Sequence, residues 1–549
     1  MFRLILSILF CLPPAITLAQ VNAVNADAAA IPLDATLLAV ADAQALTESG
    51  AAEVAVQRRY VWCRNADEVT ATQLAINLSI SHAAFDVQPV LIAGGQLVAV
   101  DLRVCSFDEA DYQRLLSLWA SMSDREPYFH ARVAAKRVKV KPYKASDGKT
   151  YDFKVLPVAL PAPHLGEAGP QLETLVGNPL PTEQSFCPIV RADWFCKEVL
   201  TTADGGRYYD FRGLKIGMQL ADYLETRGAD RKQIEAINAS ERAAFISRVT
   251  GKPRVVSMLQ GQGVRISTGA AIIAITDDPF DDNLDPTADP FRQLLDSKSN
   301  GHEVFATLPS GWLEFTLWDG DQKLVAEAPP NLVADRTVPE PFTPRLQSAI
   351  SCIRCHAEKD GWKSFTNEAA IMLGDRITNF GDVRQAHDPN SVLARLAAKY
   401  SGNLSEALNV ARDNIDRRVF KVTRKSASEA FATLGNVVNR HEYEYVTAKI
   451  AAQEIGWIVP ADDPLGVVTF RRVVPALQQD GLLPDDPNIG RLHIDYLDID
   501  TGERVGMKIT RRQWEQVYID AMNRSLPGLI AAREAKAGQV ADNPPAKKE

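Results

Sequence analysis

Long apolar runs are nearly absent from this sequence of 549 residues. Beyond the first twenty residues, no segment is both free of charged side chains and as long as the roughly 20 residues that a membrane-spanning helix needs. We therefore expect no integral membrane segment in the mature chain. An excess of positive charge is also lacking, because the formal net charge is -9. The composition gives no support for a nucleic-acid partner.

Common catalytic arrangements are missing as well. No Ser-His-Asp or paired-carboxylate arrangement can be assigned from residue spacing, and the eight histidines are scattered. Gly261-Gln262-Gly263 lacks the following Gly and Lys that a phosphate-binding loop requires. The sequence therefore assigns no catalytic residue.

The N-terminus has the order of features found in export signals. Arg3 precedes an apolar run over residues 4–12, a Pro13-Pro14 break follows, and Thr17-Leu18-Ala19 supplies small residues at the exit. This order predicts a signal peptide over residues 1–19 that is cleaved near Ala19, so the mature protein is expected to be periplasmic or secreted. Retention of this segment as an uncleaved anchor is the alternative.

The remaining chain alternates strand-like and helix-like patterns. Strands are predicted at 55–63 and 96–105, with a helix capped by Asp108 and a small antiparallel sheet over 301–330. Later residues favour helices, and a hairpin at 491–509 precedes a helix capped at Thr510. The fold class is therefore α+β. The predicted helices of the later region lie at 390–415, 426–439 and 446–456.

The length predicts two to four domains. After the signal peptide we predict a linker at 20–54 with one short helix, and an α+β N-terminal region with small antiparallel sheets at 55–345. A Pro-rich crossover at 156–188 could divide that region into two subdomains. A mainly helical domain follows at 346–532, and the Ala-, Lys- and Pro-rich tail at 533–549 is predicted to be disordered.

The strongest chemical signal is the run Cys352-Ile353-Arg354-Cys355-His356. Two thiols separated by two residues can reach the two vinyl groups of one porphyrin, and a histidine directly after the second thiol can reach the iron. The run therefore predicts one covalent haem c, held by Cys352 and Cys355, with His356 as the proximal iron ligand. The helical domain is accordingly expected to be cytochrome-c-like.

Two other interpretations of this run have less support from the sequence. A closed zinc site needs a second pair of ligands at similar spacing, and no such pair follows. A thioredoxin-like dithiol needs a βαβ context and leaves His356 without a role. Export also favours haem, because in bacteria the covalent attachment takes place outside the cytoplasm.

Four further cysteines remain in the mature chain, an even number in a compartment where disulfides persist. Three pairings are open. The proximity of Cys187 to Cys196 in sequence, and the strand-like runs that end at Cys63 and Cys105, favour the pairs 63 with 105 and 187 with 196.

Several segments resemble a known family. Their order in the chain is similar to that of large, secreted, single-haem cytochrome-c-domain proteins of planctomycete-like and other bacteria, and it covers most of the mature chain. The resemblance implies haem binding and electron transfer, but no substrate. One departure is Ala357-Glu358-Lys359-Asp360, where such proteins often place Gly soon after the His. The segments are Arg59-Tyr60, Ile189-Val190-Arg191-Ala192-Asp193-Trp194-Phe195, Tyr208-Tyr209-Asp210, Glu303-Val304-Phe305, Leu308-Pro309-Ser310-Gly311, Ala328-Pro329, Val333-Ala334-Asp335, the haem run and Ala451-Ala452-Gln453-Glu454-Ile455-Gly456.

These observations favour an electron-transfer protein that works with a periplasmic or envelope redox partner. A haem enzyme such as a peroxidase or oxidase, or a partner-binding module with an accessory haem, is the alternative that the large N-terminal region suggests. The second iron ligand distinguishes an electron-transfer protein from a haem enzyme, because an enzyme keeps that position of the iron open for substrate. His387, in a polar stretch before Pro389, is the expected distal ligand, with Met372, His441 and His493 as other candidates.

Overall fold

The structure is a computed structural model that describes most of the chain in separate ranges. The continuous ranges are 33–123, 189–235, 299–328, 344–358, 404–454, 462–479 and 485–517. The strands at 135–139, 143–144, 150–151, 155–159, 242–246, 253–266, 269–279 and 361–362 and the single residues 335, 338 and 342 complete the described part.

Helices occur along the whole described chain. Several begin at side-chain caps, as where Asn65 Oδ1 accepts a hydrogen bond from the Glu68 backbone N–H. The helices are α1 Leu33–Glu48, α2 Ala52–Gln57, α3 Ala66–Ala75, α4 Leu102–Cys105, α5 Glu109–Ser123, α6 Ala192–Leu200, α7 Tyr208–Arg212, α8 Leu220–Thr226, α9 Arg231–Glu235, α10 Ile350–His356, α11 Leu404–Thr423, α12 Ala427–Tyr443, α13 Ala448–Glu454, α14 Val467–Gln479, α15 Pro487–Leu492 and α16 at 511–517.

The strands form two larger sheets and several short pairs. They are β1 Arg58–Trp62, β2 Val90–Ile92, β3 Leu97–Asp101, β4 Ala135–Lys139, β5 Tyr143–Lys144, β6 Thr150–Tyr151, β7 Val155–Ala159, β8 Ile189–Arg191, β9 Arg242–Ile246, β10 Pro253–Ile266, β11 Gly269–Pro279, β12 Ser299–Thr307, β13 Leu313–Asp319, β14 Leu324–Val325, β15 Ala357–Glu358, β16 Gly361–Trp362, β17 Tyr445–Thr447, β18 Asp495–Leu497, β19 Arg504–Gly506 and β20 Lys508–Thr510. The first sheet has the order β2-β3-β1-β8, and β8 runs parallel to β1.

The second sheet is antiparallel and positions the candidate site. Its order is β14-β13-β12-β11-β10-β9. Residues directly opposite each other on antiparallel strands point to the same face, so Met258, Ala274, Phe305 and Phe315 form one row. Glu314 lies on the opposite face, because successive side chains of a strand alternate. One face of this sheet therefore carries the row from Met258 to Phe315, and the other face carries Glu314.

The described architecture confirms the α+β class with small antiparallel sheets. Several predicted elements are present in the structure with slightly different bounds. Strands β1 and β3 fall within the two predicted strands, and α5 begins directly after Asp108. Thr510 and Gln513 cap α16 reciprocally, since each side chain accepts a hydrogen bond from the other residue's backbone N–H. A cytochrome-c-like arrangement of the later helices remains a prediction.

The predicted linker at 20–54 holds more structure than one short helix. Helix α1 occupies 16 of its residues, and Ala35, Ala39 and Ala43 are buried along one side of that helix. Asp42 of α1 accepts hydrogen bonds from Arg58 and Tyr60 at the start of β1. The folded part of the chain therefore begins before residue 55. The sequence did not predict this helix at its full length, because its buried side chains are alanines. Small apolar residues of this kind do not give the amphipathic pattern from which a helix is recognised.

The regions on either side of residue 345 share one hydrophobic core. Trp312, Ile353 and Phe431 belong to the same cluster of buried side chains. A buried carboxylate strengthens the connection: Asp86 accepts hydrogen bonds from Trp312 Nε1 at 3.1 Å and from Arg418 Nη1 at 2.7 Å. Helix α11 is thus joined to the N-terminal region by packing and by charge.

The cysteines differ from the predicted disulfides. Cys63, Cys105 and Cys196 are all buried and carry no disulfide, so the predicted bridges 63–105 and 187–196 are not present. Cys63 Sγ instead lies 3.7 Å from Thr72 Oγ1 in the core. Cys105 ends the short helix α4, where its carbonyl oxygen accepts a hydrogen bond from the His82 N–H. The pairing was predicted from spacing along the chain, which does not show which cysteines meet in the fold. Cys187 lies outside the described residues.

None of the described helices is both long enough and apolar enough to cross a membrane. The signal peptide at 1–19, the crossover at 156–188 and the tail at 533–549 lie outside the described residues, apart from β7 at the start of the crossover.

Glu314 is a fully buried carboxylate with several partners. Its oxygens accept hydrogen bonds from Arg212 Nε at 2.8 Å, Arg227 Nε at 2.7 Å and the Tyr223 hydroxyl at 2.9 Å. Burial opposes ionisation, but the guanidinium groups of Arg227 and Arg212 prevail and lower the pKa of Glu314 to about 2. Strand β13 is thereby fixed to α7 and α8.

We predict that Glu314→Gln lowers the free energy of unfolding by about 3 to 5 kcal/mol, because it leaves buried guanidinium charge without a partner. A folded-state pKa below the ordinary 4.5 means that the carboxylate stabilises the fold above pH 4.5 and loses this effect as the pH falls toward 2. Urea unfolding of both proteins across this range should show the difference shrinking with acidity. Glu109→Gln, at an exposed ion pair, is the control that should change nothing measurable. Equal stabilities at pH 7 would contradict the assignment.

Candidate functional site

The cysteine–histidine run lies on one short helix. Helix α10 spans Ile350–His356 and ends where Ala357 becomes extended and pairs with Trp362. The helix starts after Ala349, a buried residue with φ of 61° in the region that favours glycine. All three predicted haem-binding side chains are therefore presented within about one turn of helix.

The two residues between the cysteines anchor this helix. Ile353 is fully buried in the main core. Arg354 Nη1 lies 3.3 Å from Asp335 Oδ2, and its Nη2 lies 3.0 Å from Glu442 Oε2. The guanidinium also lies over the Tyr443 ring, 5.7 Å from its centroid. A rotation of α10 would unpair buried charge, so the orientation of the helix is fixed.

The anchoring gives the two thiols different environments. Cys352 is only 1% exposed, whereas Cys355 is partly exposed. Burial, together with the negative charge of the nearby Glu303 carboxylate, raises the pKa of Cys352 well above its ordinary value. Cys352 is consequently a poor nucleophile until its surroundings open.

His356 lies beside strand β12. Its side chain is 31% exposed, and its Nε2 is 3.9 Å from Glu303 Oε1. The imidazole contacts Phe305 edge to face, with ring centroids 5.0 Å apart and an angle of 83°. Arg254 Nη1 is 3.5 Å from Glu303 Oε2, so the carboxylate between the thiol and the imidazole has a cationic partner.

An apolar surface extends from this point across the same face of the sheet. Ala243, Val256 and Ala274 form a small buried cluster, and the partly buried Phe245, Met258 and Phe305 pack against it. A porphyrin needs apolar contacts on its faces, and this surface lies next to the imidazole through Phe305. The sheet thus offers a hydrophobic floor beside α10.

The donor set fits a covalent haem in most respects. Two thiols and one imidazole project from a single helical turn, the imidazole is partly exposed, and apolar side chains lie alongside. Two features must change on attachment: the Cys352 thiol is covered, and the Nε2 of His356 faces the Glu303 carboxylate. In the described ranges, no group of three or more His, Cys, Asp or Glu side chains is arranged to hold a metal ion by itself.

The predicted distal ligands either have other partners or lie outside the described residues. His387 and Met372 belong to the latter group. The His441 nitrogens face Glu515 at 2.7 Å and Asp193 at 3.6 Å, so this ring is engaged with other carboxylates. His493 packs near Phe470, with ring centroids 6.5 Å apart.

Sequence reasoning missed Glu303, Arg254 and Phe305 as parts of the site. Glu303 and Phe305 are two positions apart on β12, and side chains at this spacing on a strand point to the same face of the sheet. It does not reveal which helix covers that face, because the contact with α10 is long-range. No pattern in the sequence around Arg254 indicates that this residue belongs to the site.

Comparisons of the chain with models of protein families, with curated proteins and with solved structures find no match.

We predict that Cys355 of the haem-free protein, produced without residues 1–19, reacts with a thiol reagent at least about tenfold faster than Cys352, because each unit of raised pKa lowers the thiolate fraction tenfold. Glu303→Gln removes the neighbouring charge and should accelerate labelling of Cys352 by roughly threefold to tenfold. Mass spectrometry of timed samples measures both rates. Glu429→Gln, at an exposed ion pair of α12, should leave them unchanged. Equal labelling of the two cysteines would contradict this description.

Proposed function

We propose that this protein is an exported c-type cytochrome that binds one haem through Cys352 and Cys355, ligates the iron through His356 and transfers electrons to a periplasmic or envelope partner. One observation carries the proposal: both thiols and the imidazole lie on one anchored turn of helix, with Cys355 and His356 at its accessible end. The apolar face of the six-stranded sheet supports it.

A bound haem would supply an iron that exchanges single electrons. The chain's own residues would fix where that happens. The thiols of Cys352 and Cys355 would hold the porphyrin at two points, and His356 would ligate the iron from one side. Arg354, between the thiols, acts as a positioning residue, because its ion pairs hold α10 against α12.

Glu303 would tune the imidazole. A carboxylate that accepts a hydrogen bond from a ligating histidine fixes the ring and raises its basicity. Glu303 would take this role once the imidazole turns so that the nitrogen that does not ligate the iron faces the carboxylate, and Arg254 moderates the charge of Glu303. The charge of the same carboxylate helps to raise the pKa of Cys352, so Glu303 would influence both the attachment at Cys352 and the ring of His356.

We predict that the exported protein retains haem through denaturing electrophoresis, because thioether bonds survive conditions that remove non-covalent haem. Cys352→Ser combined with Cys355→Ser should abolish the in-gel haem signal. Cys105→Ala, which removes a buried thiol outside the run, should keep it. Circular dichroism would verify that each variant folds.

Two outcomes of this gel experiment are decisive. Haem at the wild-type level in the double variant would refute covalent attachment at these thiols. Production without residues 1–19 should give haem-free protein, since the chain would not reach the attachment machinery.

The second iron ligand remains a prediction at His387. Met258 is a second candidate that the sheet suggests. It is partly buried on the face that carries Glu303 and Phe305, two strands from Phe305 across Ala274. Adjacent strands lie about 4.8 Å apart, so roughly 10 Å separates the two backbones. A methionine ligand would give a higher reduction potential than a second histidine.

His387→Ala should therefore convert a low-spin haem into one that binds carbon monoxide readily, because the sixth position of the iron becomes open. Absorption spectra of the reduced protein with and without carbon monoxide measure this. His82→Ala, at a ring whose Nε2 lies 2.7 Å from the Phe211 carbonyl oxygen, is the control and should leave the spectrum unchanged. An unchanged spectrum in His387→Ala would exclude that residue, and the same measurement on Met258→Ala would follow.

A further inference from the structure

An open cavity lies between α5 and the segment around α7. Its volume is about 420 Å³, which falls within the roughly 300 to 1,000 Å³ typical of small-molecule sites. Leu118 of α5 lines it together with Tyr209, Leu214 and Ile216. Ile216 is 59% exposed, so most of this apolar side chain is uncovered and an occupant would remove it from water. The cavity therefore has the size and the apolar wall that a small organic molecule requires.

The wall of the cavity is fixed by hydrogen bonds to the segment that leads into α10. The Tyr209 hydroxyl donates to the Val325 carbonyl oxygen at 3.0 Å and lies 2.5 Å from Ser348 Oγ. Thr202, which also lines the cavity, donates its backbone N–H to Gln347 Oε1 at 3.2 Å, and its hydroxyl accepts from the Ser348 N–H at 3.2 Å. A preformed wall of this kind loses little conformational entropy when a molecule binds.

The charged groups at the cavity differ in their partners. Arg114 is paired with Asp111 at 2.7 Å and donates to the carbonyl oxygens of Asp210 and Phe211, at 2.6 and 3.1 Å, near the end of α7. The ammonium group of Lys215 and the carboxylate of Asp210 also line the cavity, and both residues are exposed. Among the described residues, the structure gives neither of these two side chains an ion-pair partner. One positive and one negative charge thus stand ready beside the apolar wall.

These two charges select among the small molecules that the apolar wall would accept. A wholly apolar molecule would take water from Lys215 and Asp210 and give them no partner. A simple carboxylate would meet the like charge of Asp210, and a simple amine would meet the like charge of Lys215. A zwitterion with an apolar group offers each charge an opposite one, and hydrogen bonds between charged groups are the strong ones.

We propose that this cavity binds a free α-amino acid with an apolar side chain. Lys215 would bind the carboxylate of the amino acid and Asp210 its ammonium group, while Leu118, Leu214 and Ile216 would cover its side chain. Binding would not require haem. Loss of amino-acid binding would therefore leave the cytochrome proposal standing, and a chain without haem would leave this proposal standing.

Isothermal titration calorimetry of the full-length exported protein tests the site with L-phenylalanine and L-leucine as probes. We expect one binding site, with a dissociation constant at or below about 1 mM for at least one of them. For an aromatic ligand, 3-phenylpropionate lacks the ammonium group and 2-phenylethylamine lacks the carboxylate, so each should bind at least about tenfold more weakly than L-phenylalanine. Absence of binding by both amino acids would overturn the proposal, as would equal binding of L-phenylalanine and 3-phenylpropionate.

Four variants locate the binding. Asp210→Asn and Lys215→Gln should each weaken amino-acid binding by about tenfold, because each removes one charged hydrogen-bond partner. Asp222→Asn on α8 and Lys232→Gln on α9 change exposed charges outside the cavity and should keep the wild-type affinity. All four positions are exposed, and urea unfolding would verify that each variant folds. Wild-type affinity in both Asp210→Asn and Lys215→Gln would show that the amino acid binds elsewhere and would overturn the assignment.

Discussion

The ion pairs of Arg354 are the constraint on which the candidate site depends. A buried guanidinium without partners would cost several kcal/mol, so α10 keeps the orientation in which Asp335 and Glu442 both face Arg354. That orientation turns Cys352 toward the core and leaves Cys355 and His356 partly exposed. The residues between the two cysteines thus determine which chemical groups of the run are accessible.

The six-stranded sheet connects this site to the rest of the molecule. One face carries Glu314, which the guanidinium groups of Arg212 and Arg227 hold ionised in the core. The other face carries Glu303, which lies between the Cys352 thiol and the His356 ring. The first carboxylate stabilises the fold, and the second adjusts the reactivity of the run, although both stand on neighbouring strands of one sheet.

Local patterns in the sequence predicted local structure well. The strand at β1, the helix after Asp108 and the cap at Thr510 follow from alternation, amphipathic spacing and capping residues, which act over a few positions. The position of Glu303 beside α10 could not be predicted, because it depends on the pairing of β11 with β12 and on a helix that lies much later in the chain. Helix α1 was underestimated because its buried residues are alanines.

The most direct test of the account uses a property of the run itself. Trypsin cleaves after Arg354, so the digest separates Cys352 from Cys355. If one haem is bonded to both thiols, mass spectrometry of the exported protein will find the peptides Leu346–Arg354 and Cys355–Lys359 joined through a haem. Recovery of the two peptides separately, each with an unmodified thiol, would contradict the central claim.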